Sequence, residues 1–246
     1  MVSSSELRAR IKDFFTFSKP EIGGLALAIV VTAFIFSFRD WGSGDYFDLA
    51  LGLRNLLVMI LITGITFLFR LSLQKTYALR EGYKSEFKVW LAGLVIALVV
   101  AFMSLGIIPL VLVGGLTSAL MIRQRLGEFR YGFSLGDGAV ISIWGICANI
   151  VLAILFAIGA YISPESYFFS KGLMLNLIMA FCSLLPFPQL DGLNLFFGSR
   201  NLYYTSIVMT VLAAILLLTK TKIGLIISVV VTLVVALVLI LITSEK

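Results

Sequence analysis

In a chain this apolar, any chemistry has to come from a few polar residues, and the segment Pro186-Phe187-Pro188-Gln189-Leu190-Asp191-Gly192 holds the most informative of them. Asp191 stands in an apolar run from Gly172 to Phe197. A carboxylate at bilayer depth costs about 2.5 kcal/mol or more, so it is kept where it has a partner or a task. Its neighbouring prolines and glycine prevent a continuous helix, and irregular backbone at that depth survives only under other protein or beside a wet cavity. Two further polar sites interrupt apolar runs: Asn149 in Gly145-Ile146-Cys147-Ala148-Asn149, and Arg70 with Gln74. Residues spaced like Arg70 and Gln74 share one face of a helix. Taken alone, Asn149 reads as a helix-to-helix hydrogen bond and Arg70 as an arginine snorkelling to the interface. Asp191 is too short to snorkel and needs a specific partner.

What is missing constrains the chemistry as firmly. The chain has no histidine, which removes the usual zinc ligand, the usual general base and any Ser/His or Cys/His dyad. Cys147 and Cys182 both lie in apolar runs and read as small buried thiols. Hydrophobic residues make up 60% of the 246 positions and charged ones 13%, and mean hydropathy is +1.08. Soluble domains are about 45–50% apolar and about 25% charged. The chain is therefore expected to be a multi-pass protein of the cell membrane. Its net charge of +6 comes from basic residues between apolar segments, without aromatic interleaving. They read as topology signals, so membrane lipid is an expected partner and nucleic acid is not.

These residues must be positioned by membrane-spanning elements. Residues 1–20 are polar, of mixed charge, too long and too acidic for a cleaved signal peptide, and expected to be cytoplasmic. Glu21 to Phe38 and Asn55 to Leu73 read as two spans joined by a loop from Arg39 to Ala50. The segment Lys75 to Lys88, with Lys75, Arg80, Lys84 and Lys88, reads as a loop on the side of the basic N-terminus. Trp90 to Met103 and Ile107 to Ile122 follow, separated by Ser104-Leu105-Gly106 and flanked by Lys84/Lys88 and Arg123/Arg125/Arg130. The pair leaves and returns on one side, as a full hairpin or with the Pro109, Gly114, Gly115 part re-entering. Ala139 to Ile162 is the next span, and Gly172 to Phe197 is the broken segment, closed by Arg200. Tyr203 to Thr219 and Ile223 to Thr243 form a last hairpin turned by Lys220 and Lys222. The expected fold is an all-α polytopic membrane bundle of about six to eight transmembrane helices, with one helix broken at the PFPQLDG segment. It forms a single domain: the N-terminal segment, a core over 53–200 and a hairpin over 203–243.

The polar sites together resemble a family. Leu184-Leu185-Pro186-Phe187-Pro188-Gln189-Leu190-Asp191-Gly192 resembles the LDG motif of the site-2 protease family of intramembrane zinc metalloproteases, in which the Asp is the third metal ligand and the prolines open the helix. Gly145 to Asn149 is similar to that family's GPxxN segment, with Ile146 in the proline's place. The resemblance implies that Asn149 helps hold an extended substrate near the metal. Pro186, Pro188 and Asp191 are the other substrate-binding candidates. Ala78-Leu79-Arg80-Glu81-Gly82-Tyr83-Lys84-Ser85-Glu86-Phe87 resembles the Gly-Tyr, Glu-Phe sequence that follows HExxH in archaeal members. Counting back puts HExxH at Arg70-Leu71-Ser72-Leu73-Gln74, where both histidines and the glutamate are missing.

The resemblance runs from the second span to Arg200, and the departure weighs more on function than the match. HExxH places two imidazoles on one helical face to bind zinc while the glutamate activates water. Arg70 and Gln74 keep the spacing without the ligands, Leu71 cannot act as a base, and one carboxylate does not hold zinc. No catalytic residue, metal site or cofactor is therefore expected, with zinc present only if the family activity is retained. The leading expectation is a non-catalytic homologue, a pseudoprotease, that binds a transmembrane segment of a partner protein. Arg70 is expected to neutralise Asp191 directly or through Gln74 and water. The alternatives are a divergent protease of the same family, an aspartyl protease using Asp137, Asp40, Asp45 or Asp48 with Asp191, and a small transporter or channel.

Overall fold

The computed structural model describes residues 4–43, 46–121, 134–219 and 221–244. Among the described residues, four helices are long and apolar enough to cross a membrane: α2 (Lys19–Ser37), α3 (Leu49–Arg80), α5 (Leu135–Ile162) and α8 (Arg200–Leu218). The other described helices are α1 (Ser4–Phe14), α4 (Leu91–Met103), α6 (Tyr167–Ser183), α7 (Asp191–Gly198) and α9 (Lys222–Ser244). Helix α2 starts with a capping box between Ser18 and Glu21, with Pro20 in the first turn where its missing N–H costs nothing. Helix α3 starts at Asp48, whose carboxylate accepts from Ala50 N and Leu51 N. Its 32 residues rise about 48 Å, well beyond a hydrocarbon core of about 30 Å. The excess carries α3 past the expected loop boundary to Arg80.

The all-α expectation is corrected to a mostly helical fold with, among the described residues, two antiparallel strand pairs. The smaller joins β1 (Gly42–Ser43) to β2 (Tyr46–Phe47). The larger joins β3 (Tyr83–Val89) to β4 (Gly114–Leu120), in register from Tyr83 opposite Leu120 to Val89 opposite Gly114. Charged residues made 83–88 look like a loop, yet they alternate: Tyr83, Ser85 and Phe87 are buried while Lys84 and Lys88 face outward. That period of two is a strand signature. The run Ile107 to Ile122 contains no helix among its described residues, because Pro109 and the Gly114-Gly115 pair interrupt it. Arg123, Arg125, Arg130, Lys220 and Asp45 lie outside the described residues.

Helix α4 and residues 107–113 form a hairpin with both ends beside the sheet. At its base, Trp90 N donates to Val113 O at 2.8 Å. At its tip, Gly106 (φ +72°) packs on Phe38 and Arg39, just past the far end of α2, where a Cβ would come within 2.8 Å of Arg39. The return leg is enclosed: Val111, Leu112 and Val113 are buried, Gly93 of α4 lies against Leu112 O, and Val111 N donates to Cys182 Sγ of α6 at 3.5 Å. Cover of this kind is what non-helical backbone needs at membrane depth.

A second charge pair fastens the sheet to the helices. Lys75 Nζ lies 2.7 Å from Glu21 Oε1, both side chains almost wholly buried. Lys75 also donates to Thr16 O at 2.9 Å and sits 3.9 Å from the Phe17 ring centroid. Glu21 Oε1 accepts from Phe87 N of β3 at 2.9 Å. One carboxylate therefore joins α2, α3 and the outer edge of β3. Lys75→Ala is expected to destabilise the protein by about 3–5 kcal/mol, because Glu21 is left buried and unpaired. The double variant Glu21→Gln, Lys75→Met should lose much less, and thermal unfolding in detergent micelles measures both.

Candidate functional site

Helix α3 presents Arg70 and Gln74 one turn apart on one face, and α7 begins at Asp191. All three are buried, at 4%, 1% and 2% exposure. Arg70 Nη2 lies 2.5 Å from Asp191 Oδ2, and Gln74 Nε2 donates to the same oxygen at 2.9 Å. The pairing anticipated from the sequence forms directly, with Gln74 as a second donor. Asp191 also occupies the first turn of α7, where the helix dipole favours a negative charge.

Glycines set how closely the surrounding backbone approaches this pair. A Cβ at Gly145 of α5 would fall 2.3 Å from Gln74 Nε2 and 3.0 Å from Asp191 Oδ2. A Cβ at Gly192 would collide with the Leu184 and Leu185 carbonyls, so the glycine of the LDG segment serves the tight turn between α6 and α7. On the sheet side, a Cβ at Gly115 would meet Gln189 O at 2.8 Å and Asp191 Oδ1 at 3.3 Å. Strand β4 therefore lies directly against the 189–191 turn. The sequence reading missed this contact, for which Gly114-Gly115 inside an apolar run was the available signal.

The other candidates fall in different places. Pro186 and Pro188 are on the exposed turn between α6 and α7. Leu71 is buried in the hydrophobic core. Asn149 is fully buried on α5, one turn beyond Gly145. Helices α3 and α5 run antiparallel, since Gln74 meets Gly145 and Tyr77 stacks on Trp144 at 5.4 Å between centroids. Arg70 and Asn149 are thus at the same level, and neither Arg70 Nη1 nor the Asn149 amide has a hydrogen-bond partner among the described residues.

Asp137, Asp40 and Asp48 are engaged elsewhere. Asp137 accepts from the Tyr83 hydroxyl at 2.7 Å, about 12 Å along α5 from Gly145. Burial first, then the hydrogen bond to Asp137, pushes the Tyr83 phenol up to about 12. Asp40 pairs with Lys171 at 2.5 Å near the opposite end of the bundle, and Asp48 caps α3. Among the described residues, these aspartates are held away from Asp191 and do not form an aspartyl dyad with it.

The converging residues do not fit zinc. Among the described residues no three His, Cys, Asp or Glu side chains come together. A guanidinium instead contacts the one carboxylate that would be a ligand. Beside the pair, Lys88 and Thr117 of the sheet and Gln189, Leu190 and Asn194 of the α6–α7 region line a groove of about 470 Å³. The ladder bonds Trp90 N to Val113 O and Met121 N to Gly82 O fix which β4 groups face β3. The N–H and C=O groups of Gly114, Leu116, Ser118 and Leu120 consequently point away from β3, to an edge on which no described strand pairs.

Arg70→Ala is expected to cost about 3–5 kcal/mol of stability by leaving Asp191 unpaired. The pair of changes Arg70→Met and Asp191→Leu should cost much less. Chemical unfolding of each variant in detergent, followed by intrinsic fluorescence, tests the difference.

No family profile matches the chain, and no solved structure matches it. It is similar to a Methanocaldococcus jannaschii protein described as a "putative zinc metalloprotease", at 26% identity over 182 residues, 72% of this chain and 84% of the relative. The chain thus has a metalloprotease-like relation, carried on a membrane-type helical fold whose converging side chains do not fit zinc.

Proposed function

We propose that the chain is a non-catalytic relative of the site-2 intramembrane metalloproteases that binds a membrane-embedded segment of a partner protein. The observation that carries this reading is the Arg70 guanidinium, 2.5 Å from the Asp191 carboxylate at the position where the resemblance calls for a metal ligand. The ion pair supplies the positive charge that a dication would have supplied, and it supplies no Lewis acid and no base. Catalysis is lost, while the turn and strand around the site are kept.

The groove between β4 and residues 189–194 supports the binding role. It lies beside a strand edge whose N–H and C=O groups suit an extended segment added as a further strand. Pro186 and Pro188 keep the α6–α7 turn out of helix, which leaves Gln189 against Gly115 at the groove wall. Asn149 stands level with Arg70 on the helix behind this wall. The N-terminus and the sheet are assigned to the cytoplasmic side, where Arg80, Lys84 and Lys88 cluster.

Metal analysis of the purified full-length chain should find sub-stoichiometric zinc. A photo-crosslinker placed at Thr117 should capture a membrane protein in native membranes, whereas one at lipid-facing Leu61 should not. Ser118→Pro, which removes one outward N–H from the β4 edge, should abolish the capture. Stoichiometric zinc, or capture indifferent to Ser118→Pro, would overturn the proposal.

A further inference from the structure

We infer that the end of the bundle remote from the Arg70–Asp191 pair holds one acyl chain of an anionic membrane phospholipid. A cavity of about 200 Å³ lies there between α5, α6 and the α8–α9 hairpin. Its floor is apolar and tightly packed: Leu173 and Leu217 are each 2% exposed. The space exists because α5 places alanines, Ala157 and Ala160, one turn apart on the face toward the hairpin. The Thr221 hydroxyl in the lining already accepts from Gly224 N at 3.1 Å, and the leucines and alanines of the floor offer no hydrogen bond, so a polar ligand would be stripped of water without compensation there. A flexible hydrocarbon chain restores the dispersion contacts that a void in a packed interior forfeits.

The rim has the opposite character. Tyr161 lines the cavity in the last turn of α5, and the Lys222 ammonium sits 5.8 Å from the Tyr161 ring centroid. Lys222 makes no salt bridge among the described residues and is exposed. Both residues stand at helix ends, the level at which Tyr and Lys meet lipid headgroups. An apolar slot beneath the exposed Lys222 ammonium matches an amphiphile with a negatively charged head. A phospholipid phosphate and a free phosphate would both satisfy Lys222, and only the former fills the slot.

The test is native mass spectrometry of the full-length protein, with phosphatidylglycerol or phosphatidylcholine of identical chains added to the detergent. One phosphatidylglycerol should remain bound under conditions that strip phosphatidylcholine. Ala160→Phe, which fills the slot from a half-buried position, should abolish retention while the thermal transition persists. Lys222→Gln should weaken phosphatidylglycerol about fivefold, the factor corresponding to one interfacial lysine, down to the level of phosphatidylcholine. Glycerol phosphate, which lacks the chains, should not displace the lipid. Equal retention of the two lipids by the unaltered protein, undiminished retention in a folded Ala160→Phe variant, or displacement by glycerol phosphate would each overturn the inference.

Discussion

A carboxylate enclosed by apolar helices has to be neutralised, and Asp191 meets that demand with Arg70 and Gln74 of α3. Much of the surrounding geometry follows from bringing these groups together. Helix α5 must approach without a side chain, which places Gly145 against the pair. The chain between α6 and α7 must turn sharply, which places Gly192 under the Leu184 and Leu185 carbonyls. Truncating one partner would leave a buried charge, so the pair fixes the relative placement of α3, α5 and α7 more firmly than it adds net stability.

Helix α3 carries a second buried pair from its adjoining residue, Lys75, to Glu21 of α2. Gln74 and Lys75 are neighbours in sequence and point to different sides of the helix, as a 3.6-residue repeat requires. One side holds Asp191 and the other holds Glu21, which in turn accepts from the Phe87 N–H of β3. The sheet is thereby tied to the same helix as the ion pair. Strand β4 then reaches the 189–191 turn through Gly115, so the groove has one wall set by each charge pair.

The α4 hairpin shows how a chain can return through an apolar layer without a second helix. Thirteen residues of α4 rise about 20 Å, less than a full hydrocarbon core, and the return leg is covered by α4 and α6. Bilayers leave backbone polar groups nowhere to go unless protein covers them. The buried Val111-Leu112-Val113 segment meets that condition and delivers Gly114 to the start of β4.

Some of this was legible in the amino-acid sequence. Composition and apolar run lengths established a membrane-type helical fold, the prolines and glycine around Asp191 marked an irregular turn, and the absence of histidine removed the usual zinc ligands. The spacing of Arg70 and Gln74 determined that they share a helical face, and an unpaired anion in an apolar run called for a cation. The sheet was hidden, because Lys84, Glu86 and Lys88 gave Tyr83–Val89 the look of a polar loop despite its alternating pattern. The Lys75–Glu21 pair and the contact of Gly115 with Gln189 join residues far apart in the chain. Sequence specifies which residue types need partners, through local periodicity and the cost of burying charge. Which partner each one finds depends on the approach of distant segments, and only the tertiary structure decides that.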